Sequence, residues 1–331
     1  MGKPDMGRTG QGRDDVCLKD FAPLLHARAA FELWERTLGA QYPVSERVFL
    51  SRAVHNPVLE PGDGLVALAG RRLVGFALAE VGRTSSGVRE NASVAAILVD
   101  PQWQRHGVGT LLLKALENRV RACGCRRITT GMGVYRFWTG IPEDLPGARA
   151  FFARHGYCPE HRSPDMTIPL GNYAMTPELL AKGAAASARV TNLTPDTIPA
   201  FMRFQQREFP GWCPNMVALI QAGDIENILA VVRGDEVIGS ISCFTPGSRY
   251  RGSNLVWERC FSGRLGGYGA VGIAKDWRGK GLGALMSRAA AVHVQSHGAD
   301  ICYIDWVGPV DFYRRLGADV WRWFDQLAKK L

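Results

Sequence analysis

The chain has 331 residues, 40 of them Lys or Arg against 31 Asp or Glu, for a formal net charge of +9 at pH 7; that length holds two ordinary domains of about 150 residues each. With 46% hydrophobic and 21% charged residues, neither a disordered chain nor a coiled coil describes the whole. The longest apolar runs, such as Val94 to Val99 and Leu73 to Ala79, fall well short of the roughly 20 residues of a bilayer span, and the start, Met1-Gly2-Lys3-Pro4-Asp5, lacks the apolar stretch of a secretory leader.

Taken in order, Phe21 to Leu38 has apolar positions at helical spacing. Two short strands, Leu65 to Leu68 and Leu73 to Leu78, flank the turn Ala69 to Arg72. Val94 to Val99 reads as a buried strand, followed by a glycine loop and a helix from Gly109 to Cys123. A strand at Ile128 to Gly131 and a helix at Gly147 to His155 complete this run. The same order then returns: a helix at Thr197 to Glu208, strands at Ile228 to Arg233 and Glu236 to Cys243, and a strand at Gly269 to Ala274. A glycine loop, a helix to His297, a strand at Ile301 to Asp305 and a helix ending at Leu316 follow. Such alternation predicts an α/β (α+β) fold with a mixed sheet and helices on both faces.

The repeat is visible in side chains as well as in elements. Residues 99–109 read Val-Asp-Pro-Gln-Trp-Gln-Arg-His-Gly-Val-Gly, and residues 273–283 read Ile-Ala-Lys-Asp-Trp-Arg-Gly-Lys-Gly-Leu-Gly. Trp103 and Trp277, Gln104 and Arg278, Gly107 and Gly281, and Gly109 and Gly283 all stand 174 positions apart. Downstream, Phe152 and Tyr313, and Gly156 and Gly317, stand 161 apart, so the first copy carries 13 additional residues. They are expected within Gly131 to Gly147, as an aromatic loop that shapes a substrate pocket or packs on the second copy. The boundary falls in a stretch of small residues, which gives a first domain at 17–170, a linker or short exposed helix at 171–188, and a second domain at 189–331.

Each glycine loop joins a buried strand to a long helix. The helix start leaves four N–H groups unpaired and favours negative charge. Glycines there let the backbone turn tightly around a phosphate or pyrophosphate. Arg105 in the first copy, and Arg278 and Lys280 in the second, add charge at the rim. A dinucleotide fingerprint would need glycine where Leu112 and Met286 stand, and a Walker loop is absent. The eight cysteines and seven histidines are scattered, which indicates neither a zinc cluster nor a disulfide framework and fits a reducing cytoplasm.

Gln104 or Arg278 followed by x-x-Gly-x-Gly after a strand, with a later Phe-Phe/Tyr-x-x-x-Gly segment, resembles the GNAT superfamily of N-acetyltransferases over nearly the whole chain. The resemblance implies two tandem GNAT acyl-coenzyme A acyltransferase folds, with acetyl-coenzyme A as cosubstrate and a small-molecule amine as acceptor. Neither a nucleic-acid nor a membrane partner is expected, since only net charge points to the first and no apolar run is long enough for the second, and self-association is left open. By motif position the coenzyme residues are Leu98, Val99, Gln104, Arg105, His106, Gly107, Val108, Gly109 and Thr110 in the first copy. In the second they are Gly272, Ile273, Arg278, Gly279, Lys280, Gly281, Leu282, Gly283 and Ala284.

Family members commonly place a Tyr in the last helix as proton donor to the coenzyme sulfur. Tyr313 matches it in the second copy, whereas Phe152 stands there in the first, where water or Tyr157 would have to substitute. Asp305, Glu258 and Glu80 are the candidate carboxylates for orienting or deprotonating the amine, although Asp305 could equally cap the following segment. Tandem members of the superfamily include mycothiol synthases and acetyltransferases of antibiotic biosynthesis of the clavulanic-acid type. A non-catalytic acyl-coenzyme A sensor is the alternative of a different class.

Overall fold

The computed structural model describes residues 16–83 and 89–331; the segment read above for a leader, residues 1–15, lies outside them. The first copy runs β1 (Val16–Asp20), α1 (Pro23–Thr37), α2 (Glu46–Ala53), β2 (Gly64–Ala69), β3 (Arg72–Arg83), β4 (Arg89–Val99), α3 (Val108–Ala122), β5 (Arg127–Thr130), a two-residue β6 (Ile141–Pro142), α4 (Pro146–Arg154) and β7 (Cys158–Pro169). After α5 (Pro177–Ala185) the second runs β8 (Arg189–Asn192), α6 (Ile198–Glu208), α7 (Cys213–Gln221), β9 (Ile228–Arg233), β10 (Glu236–Phe244), β11 (Leu265–Ile273), α8 (Leu282–Ser296), β12 (Ile301–Ile304), α9 (Val310–Arg314) and β13 (Asp319–Lys330). Apart from β6 and α5, the two orders are the same.

Strand alternation sorts the helices onto opposite faces. In β3, Phe76 and Leu78 join the core that contains Phe31 and Trp34 of α1 and Phe49 of α2. Ala77 and Ala79 face the other way, into the core of Leu112 and Leu116 from α3 and Phe152 from α4. Local chemistry sets the helix starts. Pro23 opens α1, Ser45 caps α2 by accepting from the Val48 N–H, and Gly107 and Gly281 precede α3 and α8 in the left-handed conformation.

The copies share one sheet, in the order β1-β2-β3-β4-β5-β13-β7-β12-β11-β10-β9-β8. β13 of the second copy lies antiparallel between β5 and β7 of the first, and β7 lies antiparallel between β13 and β12 of the second. Each copy therefore inserts its last strand into the other's half. The sequence reading ends each copy at its last helix and has neither strand. Pro159 and Pro164 interrupt β7, and proline lacks the N–H that a central strand uses; β13 carries register shifts that blur its alternation.

The extra loop of the first copy sits on the second. Trp138 stacks on Trp34 (centroids 5.7 Å apart, 17° between planes) and tilts against Trp257 at 4.6 Å. Such aromatic pairs each contribute about 0.5–1.5 kcal/mol beyond their buried area. The linker helix α5 is only partly exposed: Leu179 and Gly183 are buried, and Gly183 sits so close to Leu285 that a Cβ would lie 2.9 Å from it.

Candidate active site

β4 pairs with β5 over Asn91 to Val94 only, the last rung being the Gly131 N–H to Val94 O bond at 3.1 Å. A register shift between Leu78 and Ala79 leaves Ala95 as a bulge, which bends β4 away from its neighbour. Ala96 to Val99 thus have a β3 partner but none on the β5 side, and the gap leads to the glycine turn. In β11 the same divergence follows Gly267, with Ala270 held at φ +51° beside the shift.

The turns are alike in backbone. Gly107 has φ +84° and Gly281 φ +81°, and Arg105 at +63° matches Gly279 at +77°. Gln104 Nε2 donates to Val99 O at 3.1 Å, and Arg278 Nε donates to Ile273 O at 2.9 Å. These two side chains fasten the loop back onto its strand. His106 Nδ1 lies 2.7 Å from Gln104 O.

In the first copy two adjoining cavities follow this path. One, of about 580 Å³, lies between α3 and α4 and is bordered by Gly107, Gly109 and Thr110, with Arg105 and Arg154 as cations. The other, of about 400 Å³, passes along Val94 to Val99 through the strand gap to Leu38 and Trp138 on the opposite face. Val99 and Phe152 line both. His155, which the sequence reading does not single out, lines the first and lies 3.1 Å from Thr110 Oγ1 through Nε2. Its place one helical turn beyond Phe151 is the signal that could have found it.

In the second copy the linker lies over the corresponding ground. Tyr173 donates its hydroxyl to Leu316 O beyond α9 (2.7 Å), while Arg288 of α8 lies over the Tyr173 ring and donates to Ala174 O. A Cβ on Gly281 would lie 2.6 Å from Lys182 Cδ, whereas one on Gly107 would meet nothing within 4 Å. Leu285 is 3% exposed, and its counterpart Leu111 is 43% exposed.

The three candidate carboxylates and the phenol fall in different places. Glu80 is buried on β3, on the α1/α2 face; its Oε1 accepts from Asn56 Nδ2 (2.8 Å) and its Oε2 from the Tyr135 N–H (3.3 Å). Burial pushes its carboxyl above the ordinary range, against those hydrogen bonds and the charges of Arg52 and Arg136. Asp305 follows β12 and is held by Arg136 and by Asn254 Nδ2 (3.1 Å). Glu258 bonds Arg251 and accepts from Ser45 Oγ at 2.9 Å, joining the copies away from both first-copy cavities. Tyr313 is buried on α9, and burial followed by the Asp305 charge pushes its phenol up to about 12. Tyr157 is buried beside Glu117, with its ring 5.0 Å from Phe152, and borders neither cavity.

A splayed strand pair, an open glycine turn at a helix start and a groove threading the sheet are features that suit an anionic group at the turn and an extended chain beside the strand. The sequence profile of the Acetyltransferase (GNAT) family matches residues 28–157 and again 197–318, and the chain belongs to that family. That membership makes it an N-acetyltransferase.

Among solved structures it is similar to a GCN5-related glucosamine N-acetyltransferase region in a fungal multi-domain GH3 β-N-acetylglucosaminidase, at 24% identity and a TM-score of 0.87, covering 96% of this chain. The chain spans 38% of that larger protein. A GCN5-related N-acetyltransferase from Sphaerobacter thermophilus (18% identity, TM-score 0.66, 96% of each chain) shares the fold. So does a tandem GNAT protein from the clavulanic acid biosynthesis pathway (16% identity, TM-score 0.64, 96% of this chain and 98% of that one). No curated protein sequence matches the chain. Among the described residues, no helix is long and apolar enough to cross a membrane.

Proposed function

We propose that the first copy performs the acetyl transfer and that its acceptor is the amine of an amino sugar. The observation that carries this reading is the uncovered Gly107 turn opening into two adjoining cavities, against a second turn crossed by the linker. Arg105 and Arg154, together with the first N–H groups of α3, suit the coenzyme's phosphates. The backbone of Ala96 to Val99, without a β5 partner, suits an extended chain laid beside it.

When bound, acetyl-coenzyme A supplies an activated acyl carbonyl. The acceptor nitrogen must arrive neutral to attack it. Glu80 borders neither cavity itself but pairs across strands with Ser93, the neighbour of Val94 on the groove; from there it takes that proton, and burial raises its carboxyl's proton affinity. Phe152 has no hydroxyl to give and Tyr157 is turned toward Glu117, so the departing sulfur takes its proton from water in the open groove.

The amino-sugar acceptor is supported by the function named for the fungal region of the same fold, and the clavulanic-pathway likeness supports fold alone. A role in antibiotic or other secondary metabolism would follow only from the acceptor itself. The test is incubation with acetyl-coenzyme A and a panel of amines, including glucosamine and the cysteinyl sugar of mycothiol synthesis, read by mass spectrometry and thiol release. Acetylated glucosamine with matching thiol is expected. Coenzyme binding without any acetylated amine would replace the transferase with a sensor, and preference for the cysteinyl sugar would move the acceptor.

A further inference from the structure

A third cavity, of about 740 Å³, lies over β3, β4 and β5, and Glu80 lines it. Across adjacent strands Glu80 pairs with Ser93, and Ser93 with Thr129, so the three side chains share one face of the sheet. Gln326 of β13 lines the same cavity, and Pro214 of α7 borders it. This row lies one residue before Val94, the last rung before β4 and β5 part. A Cβ on Gly133 would lie 2.1 Å from the Glu80 carboxylate, so the backbone of the extra loop rests directly on that group.

Two residues that line the cavity have unmet hydrogen-bonding capacity. Ser93 Oγ and Gln326 Nε2 have no hydrogen-bond partner among the described residues, and each residue is 5% exposed. Buried polar atoms are nearly always paired, and an exception calls for an explanation. Of the twelve such side-chain atoms among the described residues, these two border one cavity, together with a carboxylate, in a volume typical of ligand pockets.

From this we infer that the third cavity is the acceptor subsite of the first copy, and that Ser93 and Gln326 select an amine carrying hydroxyl groups. Glu80 receives the ammonium, while Ser93 Oγ and Gln326 Nε2 pair with acceptor hydroxyls. An amine without hydroxyls leaves both unpaired, which is how a polar site rejects an apolar analogue. Gln326 reaches the pocket because the second copy's last strand crosses into the first copy's half of the sheet. The second copy thus completes the first copy's specificity. The inference rests on the first copy being the transferase and goes beyond it.

The test compares glucosamine with cyclohexylamine as acceptors for the full-length protein and its Ser93→Ala and Gln326→Leu variants. Each variant is expected to lower kcat/KM for glucosamine by about tenfold, mainly through KM, with less than about a twofold change for cyclohexylamine and for the acetyl-coenzyme A KM. If Gln326→Leu melts below the assay temperature, Ser93→Ala, which removes a single oxygen, carries the comparison. Equal losses for both amines, or none for either, would overturn the subsite. Wild-type protein that prefers cyclohexylamine would overturn it and leave the transferase standing; acetylation of no amine at all would remove both.

Discussion

Gly107 and Gly281 hold almost the same backbone, and Gln104 and Arg278 fasten their loops to the preceding strand in the same way. What differs is the neighbour. Nothing lies within 4 Å of a Cβ at Gly107, while Lys182 lies against Gly281 and the segment from Tyr173 onward bridges α8 and α9. A glycine turn is thus a backbone shape that a repeat can keep for folding reasons alone. Its use as an anion site depends on whether the chain leaves it open, and in this chain the residues that decide this lie between the copies.

The comparison is broken most forcefully at the proton acceptor. Glu80→Gln should lower kcat by about 10²–10⁴-fold, the range for loss of a general base, with acetyl-coenzyme A affinity retained. In the wild type the same group should give kcat/KM an acid limb. The active form is the carboxylate, its proton affinity is raised in the fold, and activity should therefore climb with pH to a point above the ordinary glutamate range. Glu80→Gln should abolish that limb, and its persistence would assign the base elsewhere.

At the joint between copies, part-buried Arg136 pairs with Asp305, with Asp165 close enough to feel both charges. Arg136→Ala should destabilise the protein by about 3–5 kcal/mol, since it leaves buried carboxylates without their cation; denaturant unfolding measures this. Next comes the pair of turns. Asp tolerates a left-handed backbone better than most residues, so Gly107→Asp and Gly281→Asp should both fold. Calorimetry should find acetyl-coenzyme A bound about 100-fold more weakly by the first, through charge repulsion at the diphosphate, and unchanged by the second.

Asp165 sharpens the picture through pH. Burial, followed by the charge of Asp305, pushes its carboxyl up to about 7. Between the unfolded value near 4 and that point, the folded protein holds a proton the unfolded chain has lost, so this group's contribution to stability falls as pH rises across that window. Asp165→Asn should flatten the dependence of Tm on pH from about 4 to 7. The smallest effect is expected at Tyr313: in a scaffold copy its hydroxyl does no chemistry, and Tyr313→Phe should change kcat less than about twofold. A larger drop would return catalysis to the second copy.

The repeat, the turns and the sheet's alternating layers were legible because they are local: fixed spacing, glycine before a helix, apolar runs of strand length. Glu80 could be named as one of three carboxylates at strand ends or in loops, but its support by Asn56 and Tyr135 could not. The partners that hold Asp305 and Glu258 lie far off in the chain, Arg136 at a separation of 169 residues and Ser45 at 213. β7 and β13 were illegible for a related reason. Their strand identity comes from pairing with each other across the repeat, and Pro159 and Pro164 argue locally against it. Gln326 could be placed in a pocket only once that exchange was seen.

A titration of the wild-type chain with acetyl-coenzyme A, read as stoichiometry by native mass spectrometry or calorimetry, bears most directly on the claim that one copy binds and the other supports it. One molecule per chain, lost in Gly107→Asp and kept in Gly281→Asp, is the result this account predicts. Two molecules per chain, or a single one lost in Gly281→Asp and kept in Gly107→Asp, would contradict it.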